Sequence, residues 1–567
     1  VSAPALSAVR APAAPPWAWL AAAGLIAAAL AVQLRFGMMA DVAWLAHCDE
    51  LWLSGKIPYR DFIEINPPAS LLLYIAPVAA ARGLGIASET AISIFGFAAA
   101  AASMALSARI LNGRAPASVA LAALAALVVL PGETFCERDH LAAVFGLPLL
   151  ACAWARAERA PPSWLQALAA GVGAGAMAAI KPPYALVGVL LALYLVARLG
   201  WRAAVRAPEY YAAAAFGLAY VACVGPFFPD YVARVMPVGV AIYMPAREGL
   251  LALAASPGAM LFLSIAAAAA LTARALTPGM AVAGLAAAGA AVGYVLQGKG
   301  WIYQAVPAAM FATIAGGFAW ASRSEAEDAG ASHPWALAAG GVVAALVAPG
   351  LHNLGAGWVL GIAAAQAVEF ARTRDLRLEP RRLAPLGLAA AIGAACGVCT
   401  IERPPTPELE VALARLGPGV KLASLSEDMG LSFPLARRIG AQWVLKRHSL
   451  FVTSDVRRVV ARRPDAAARL APFASAERAE VLADIAANKP DAILVGPTGT
   501  ALHAELWKDA RVTAALADYE RVAEERRPGY TAELWLRKPP GAAGGKPGFE
   551  AAGLRGAAGS ASTFSTP

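Results

Sequence analysis

The chain has 567 residues, 59% of them hydrophobic and 15% charged, with a formal net charge of +9 and a mean hydropathy of +0.58. A soluble domain carries about a quarter of its residues charged, so this balance excludes an ordinary soluble enzyme and indicates an integral membrane protein. The Lys and Arg residues sit mainly in short loops and in the polar C-terminal part, a pattern of topology and surface that argues against a nucleic-acid partner.

Apolar runs of the length that spans a bilayer as a helix, about 17 to 25 residues, recur from Trp17 to Thr400. They are expected at 17–36, 67–83, 88–108, 115–131, 140–155, 164–180, 183–198, 209–228, 249–273, 278–296, 302–321, 334–350, 354–371 and 383–399. Their Ala, Gly and Leu richness suits close helix packing in lipid. Arg10 precedes the first run and no small-residue cleavage site follows it, so 17–36 reads as a retained helix behind a cytoplasmic tail, 1–16. Cys396 and Cys399 form a CxxC inside an apolar run without a nearby His, a setting for helix packing and not for metal or redox work.

Positive charge falls in alternate loops: Arg109 and Arg114, Arg156 and Arg159, Arg198 with Arg202 and Arg206, Arg274, Arg323, and the set from Arg372 to Arg382. The positive-inside rule places those loops in the cytoplasm. The outer side then holds 37–66, 131–140, Lys181-Pro182-Pro183, 229–248, 297–304 and everything after Thr400. Nearly every polar cluster able to do chemistry falls on that one face. One conflict remains, because three apolar runs lie between Asn66 and Gly132, and an odd number of crossings cannot join two loops on the same side.

Residues 401–540 read as a small periplasmic α/β domain with strands at 420–426, 491–496 and 532–538 and a helix over 475–487. The Gly, Ala, Ser and Pro tail, 541–567, is expected to be disordered. The expected architecture is thus an all-α polytopic membrane domain over 17–400, with about thirteen transmembrane helices, followed by that soluble domain.

Within the outer face, Asp41, Asp49, Glu50, Asp61 and Glu64 crowd one loop. Acidic groups beside lipid are costly unless they carry a task. Asp41, about one turn beyond the first run, fits a general base that deprotonates an acceptor hydroxyl, with a helix cap as its structural alternative. Asp49 and Glu50 either contact the acceptor or face water from an interfacial helix. In GKIPYRDFIEINPP, residues 55–68, Tyr59, Arg60, Asp61 and Glu64 suit a sugar or a phosphate. CERDHL, 136–141, gathers Glu137, Arg138, Asp139 and His140. Two carboxylates one residue apart with one His are weak metal spacing, so a divalent metal has no support and no cofactor is assigned. Arg138 suits a phosphate.

Lys181, between two apolar runs, must snorkel or meet an anion, and a lipid phosphate is the natural one. In QGKGWIYQAVP, 297–307, Lys299 stands between Gly298 and Gly300, with Trp301 and Tyr303 as an aromatic platform or an ordinary interface belt. Arg247 is a further phosphate candidate. No HExxH, P-loop, GxSxG or dinucleotide fingerprint occurs in plausible context.

With these residues the chain resembles the GT-C superfamily of membrane glycosyltransferases, in the branch that includes protein mannosyltransferases, aminoarabinose transferases and rhizobial lipopolysaccharide glycosyltransferases. The matching pieces are Asp41 after the first helix, GKIPYRDFIEINPP with LLLYIAP, ERDHL, IKPPYAL and GKGWIYQAVP, all within residues 17–320. The resemblance implies a GT-C-like bundle in a bacterial inner membrane and a polyprenyl-phosphate sugar as donor. It also implies a lipid, polysaccharide or protein hydroxyl as acceptor on the periplasmic face, and an inverting displacement. It makes Asp41 the base and Arg138, Lys181 and Lys299 the holders of the lipid phosphate. Two positions depart from the pattern: Asp139 where Glu is usual, and Gln304 where His is common. The competing classes are a transporter or flippase for a lipid-linked glycan, which would need polar groups deep in the spans, an O-antigen ligase or polymerase, and a sensor with a membrane anchor.

Overall fold

Long alanine- and leucine-rich runs satisfy their own backbone polar groups only as helices once water is gone. The computed structural model, which describes residues 15–323, 334–350, 353–374, 379–400, 407–527 and 530–539, shows that outcome. Among the described residues eight helices are long and apolar enough to cross a membrane, and seven shorter apolar helices accompany them. Residues 1–14 of the expected N-terminal tail and the whole of the 541–567 tail lie outside the described residues.

Side is fixed by contacts at the helix ends. Gln33 near the end of the first helix, Pro16–Phe36, donates to the Gly132 carbonyl at 2.9 Å, and the Glu133 amide donates to the Cys399 carbonyl at 2.7 Å. The chain's two entries to the soluble domain's side therefore meet the 131–137 loop on one face. At the opposite face Arg156 pairs with Glu209, and the Arg274 amide donates to Ser322.

The conflict over crossings is resolved by the run at 67–83. It does not cross. It breaks at Leu73 and Tyr74 into two short helices, Ala69–Leu72 and Ile75–Leu84. Arg82, near the end of the second, donates to the Leu53 carbonyl at 2.8 Å, which keeps that end beside the helix Ala40–Leu53. Ser88, which opens the next helix, bonds Glu50 at 2.6 Å. Only Ser88–Leu111 and Ala117–Val128 then cross between the 37–66 and 131–137 loops, an even number. Hydropathy alone could not separate a helix lying against the bundle from one crossing it. The expected 249–273 run likewise divides, into Leu250–Ala254 and Pro257–Thr272.

Close packing within the bundle uses glycine. A Cβ on Gly393 would meet the Gly341 backbone, and one on Gly171 would meet the Glu209 carbonyl, so any larger residue would force those helices apart.

The C-terminal domain carries a five-stranded sheet of order β2-β1-β3-β5-β4, from β1 (Lys421–Ser426), β2 (Gln442–Trp443), β3 (Ala492–Gly496), β4 (Tyr519–Arg527) and β5 (Tyr530–Arg537). β1 pairs parallel with β2 and β3, and β5 runs antiparallel between β3 and β4. The three expected strands are β1, β3 and β5, and the expected helix lies within Ala467–Asn488. β2 has two residues, too short for any pattern, and β4 reads YERVAEERR, whose charge hides its alternation.

The domain is fastened to the membrane part. Arg437 forms a fork on Glu50, both bonds at 2.8 Å, and also bonds Glu89, while the Ile63 amide donates to the Lys446 carbonyl at 2.7 Å. A cysteine placed at Gly85 is expected to be labelled from the same side as one at Ser54, and one at Asn112 from the other. Membrane-impermeant maleimide labelling in a cysteine-free background measures this, and labelling of Gly85 with Asn112 would restore the third crossing.

Candidate active site

Three segments meet at the mouth of the bundle on the side of the soluble domain: the start of Arg138–Ala157, the turn around Lys181, and the 297–303 loop. The outer helices and the soluble domain cover them. Glu137 is the N-cap of its helix, accepting the Asp139 amide at 2.5 Å, and this capping sets the direction of Arg138. The Arg138 side chain is 2% exposed. Its Nη2 meets Asp41 Oδ1 at 3.1 Å, and its Nε meets Glu137 Oε1 at 3.2 Å. Its Nη1 is buried with no hydrogen-bond acceptor among the described residues. Among the described residues the other Asp41 oxygen has no hydrogen-bond partner, and the Asp41 side chain is 20% exposed. A buried guanidinium with a donor to spare beside a partly open carboxylate is a place for a ligand that is anionic on one side and protic on the other.

A second cluster adjoins it. Lys181 lies 3.0 Å from Asp139, donates to Gln297 at 3.1 Å and sits 5.7 Å from the centre of the Tyr303 ring. Tyr184, directly after the Pro-Pro pair, donates to Asp139, and its hydroxyl lies 3.1 Å from the Gln304 carbonyl. The charges of Asp41, Glu137 and Arg138 act on Tyr303, and those of Asp41 and Arg138 also reach Tyr243 and His448. The two clusters therefore share one neighbourhood.

Lys299 is placed differently from a free phosphate ligand. Its ammonium donates to the Tyr243 and Ala246 carbonyls at 2.7 and 2.8 Å, meets Asp455 of the soluble domain at 3.4 Å and lies 4.0 Å from the Tyr243 ring centre. All three of its hydrogens are committed. Burial lowers the Lys299 ammonium to about 8, against the pull of Asp455. Trp301 stacks near Tyr303, with centroids 5.5 Å apart. Arg247 is exposed, with only its Nε bound, to the Met244 carbonyl at 2.8 Å.

The other expected residues are brought to neighbouring but separate duties. Tyr59, in left-handed backbone at φ 64, donates to the Asn66 carbonyl, and its ring lies 5.0 Å from that of Tyr231. Arg60 pairs with Asp230 at 2.7 Å, and Asp61 accepts the Ile57 amide at 2.8 Å. Glu64 accepts the Trp44 indole at 2.8 Å and also binds Asn66. These contacts fold the 57–66 turn and fix it against the outer helix. His140 uses both ring nitrogens inside the protein, at the Cys136 amide and the Leu127 carbonyl. Glu50 serves the Arg437 fork. Asp49 is fully buried with neither oxygen hydrogen-bonded among the described residues, and burial, with the charge of Glu50, pushes it up to about 9. Among the described residues no three His, Cys, Asp or Glu side chains gather as a metal would require.

No protein-family model matches the chain, and no curated protein matches it in sequence. Solved structures do match, among them ArnT from Cupriavidus metallidurans bound to undecaprenyl phosphate and the same protein in the apo state. Each is 16% identical and covers 92% of this chain, over 98% and 97% of its own length, with TM-scores of 0.55 and 0.54. The chain has an ArnT-like fold. That likeness runs through the soluble domain as well as the bundle, since it spans nearly the whole of both chains.

Tyr184, Gln297, Tyr243, His448 and Asp455 were not singled out by sequence. Tyr184 and Gln297 lie inside motifs already in view, IKPPYAL and QGKGW. His448 and Asp455 lie in a domain with no motif, and only the tertiary structure brings them near. Asp455→Asn leaves a buried ammonium without its counter-charge, which is expected to destabilise the protein by about 3 kcal/mol at pH 7. The Lys299 pKa is lower folded than unfolded, so its own contribution improves as pH rises from about 8 towards 10.5. The gap between variant and wild type should therefore narrow above about pH 8, where Lys299 loses its charge. Thermal unfolding at pH 7 and 9.5 checks this, and an unchanged gap would contradict it.

Proposed function

We propose that this protein is a membrane glycosyltransferase that moves a sugar from a polyprenyl phosphate to a hydroxyl of a cell-envelope acceptor, at the periplasmic face of the bacterial inner membrane. The observation that carries the reading is the Asp41–Arg138 pair at the bundle's mouth, with one oxygen and one guanidinium nitrogen unspent. Two facts support it: the ArnT fold over 92% of the chain, and the undecaprenyl phosphate bound to that protein.

In this mechanism the acceptor hydroxyl gives its proton to Asp41 as its oxygen bonds the anomeric carbon. The bond from that carbon to the phosphate oxygen breaks on the opposite face, and polyprenyl phosphate leaves with the electron pair. Attack opposite the leaving group inverts the anomeric centre. Arg138, through Nη1, meets the charge that grows on the phosphate, where a low-dielectric site makes a fixed donor most effective. Arg247 at the rim and Lys181 beneath Tyr303 supply further positive charge, and Lys299 would reach the phosphate only by giving up one of its three partners. Tyr303 and Trp301 offer ring faces to the sugar. The polar groups lie at one mouth instead of along a path through the spans, which favours transfer over transport.

Asp41→Asn is expected to reduce transfer by about 10²- to 10⁴-fold while donor binding is retained. Transfer from a radiolabelled polyprenyl-phosphate sugar in proteoliposomes, with donor binding measured alongside, tests this, and near-normal turnover would remove Asp41 as the base.

A further inference from the structure

At the face remote from this site, an apolar cavity of about 110 Å³ opens among five helices. Met104, Ala108, Leu111, Val119, Trp154 and Phe318 contribute to its walls, which are almost wholly apolar. Arg114 stands at its rim: the Arg114 amide bonds the Leu111 carbonyl at 3.1 Å, and Leu111 and Ala115 on either side both line the cavity. The guanidinium is half-buried, and its Nε and Nη1 are out of solvent with no hydrogen-bond acceptor among the described residues. Buried charged donors without an acceptor are strongly disfavoured. The loops of this face carry the basic residues noted above, including the exposed Arg109.

We propose that Arg114 and this cavity together form a binding site for one anionic phospholipid, with its phosphate on the guanidinium and part of one acyl chain in the cavity. Charge complementarity selects the head: basic pockets between helices recognise anionic lipid head groups. The cavity selects the tail. An apolar cavity of about 150 Å³ stays dry and accepts a molecule as large as benzene, so one of 110 Å³ holds a short run of methylene groups and excludes a polar guest. Neither feature is used in sugar transfer, and the site lies on the opposite membrane face from Asp41, so this proposal does not depend on the proposed reaction.

The test is native mass spectrometry of the full chain released from nanodiscs of phosphatidylglycerol mixed with phosphatidylcholine. The expected result is one retained phosphatidylglycerol, lost about tenfold more readily in Arg114→Gln, the effect of removing one charge-assisted contact. Ala108→Leu, which fills the cavity and keeps the charge, should lower retention as well, and Arg109→Gln should not. Equal retention of the two lipids, or retention unchanged in both Arg114→Gln and Ala108→Leu, would overturn the proposal. Loss in Arg114→Gln without loss in Ala108→Leu would overturn the assignment of the acyl chain to the cavity. Thermal stability of each variant, measured in parallel, separates lipid loss from misfolding.

Discussion

A guanidinium sealed at the end of a helical bundle must be paired, and the mouth of this protein on the side of the soluble domain is built around that requirement. Breaking a buried ion pair costs about 3–5 kcal/mol, so Arg138 holds Glu137 and Asp41 in place as much as they hold it. Glu137 can serve because it also caps the helix, and Asp41 can serve because it lies in the first turn of the outer helix Ala40–Leu53. One pairing thus ties a long apolar helix to a helix packed against the soluble domain. It also leaves the Asp41 side chain partly exposed, 20% open to its surroundings.

The soluble domain is part of this mouth. Trp44, three residues after Asp41, is wedged between Phe433 and His448, with ring centroids 5.3 Å from each. Burial keeps His448 low, at about 4, and therefore neutral near pH 7, so it adds no charge beside Asp41 and Arg138. Asp455 meets Lys299 from the same domain, and that lysine binds the Tyr243 and Ala246 carbonyls. On the far side of the outer helix, Arg437 with Glu50 and Glu89 closes one wall of a cleft of about 630 Å³. The domain is clamped on both sides of Ala40–Leu53, so displacing it would disturb the helix that carries Asp41.

Much of this was legible in the sequence because lipid imposes simple rules. Spanning runs must be long and apolar, basic loops alternate, and polar clusters that remain on one face stand out. The ERDHL, IKPPYAL and GKGW motifs do converge. What sequence could not supply was partnership. Asp61 and Tyr59 look like free polar groups in a motif, yet the first accepts the Ile57 amide and the second donates to the Asn66 carbonyl. Lys299 looks like a loose phosphate ligand between glycines, yet a residue 156 positions away helps to hold it. Partners so distant leave no local pattern, and β4 with its run of charges leaves a misleading one.

The run at 67–83 shows where the hydropathy rules end. Its residues are apolar like those of a crossing helix, and it packs against the bundle and the helix Ala40–Leu53. The difference lies in its ends. Asn66-Pro67-Pro68 starts the helix where Glu64 binds the Asn66 amide, and Arg82 is held by the Leu53 carbonyl. A helix whose two ends are both anchored to the 40–66 segment cannot reach the other face, whatever its hydropathy. The break at Leu73 and Tyr74 follows from the same anchoring: Tyr74 donates to the Cys136 carbonyl at 2.6 Å, immediately before Glu137. The non-crossing helix therefore braces the loop that delivers Arg138, which is a structural reason for it to stay on the side of the site.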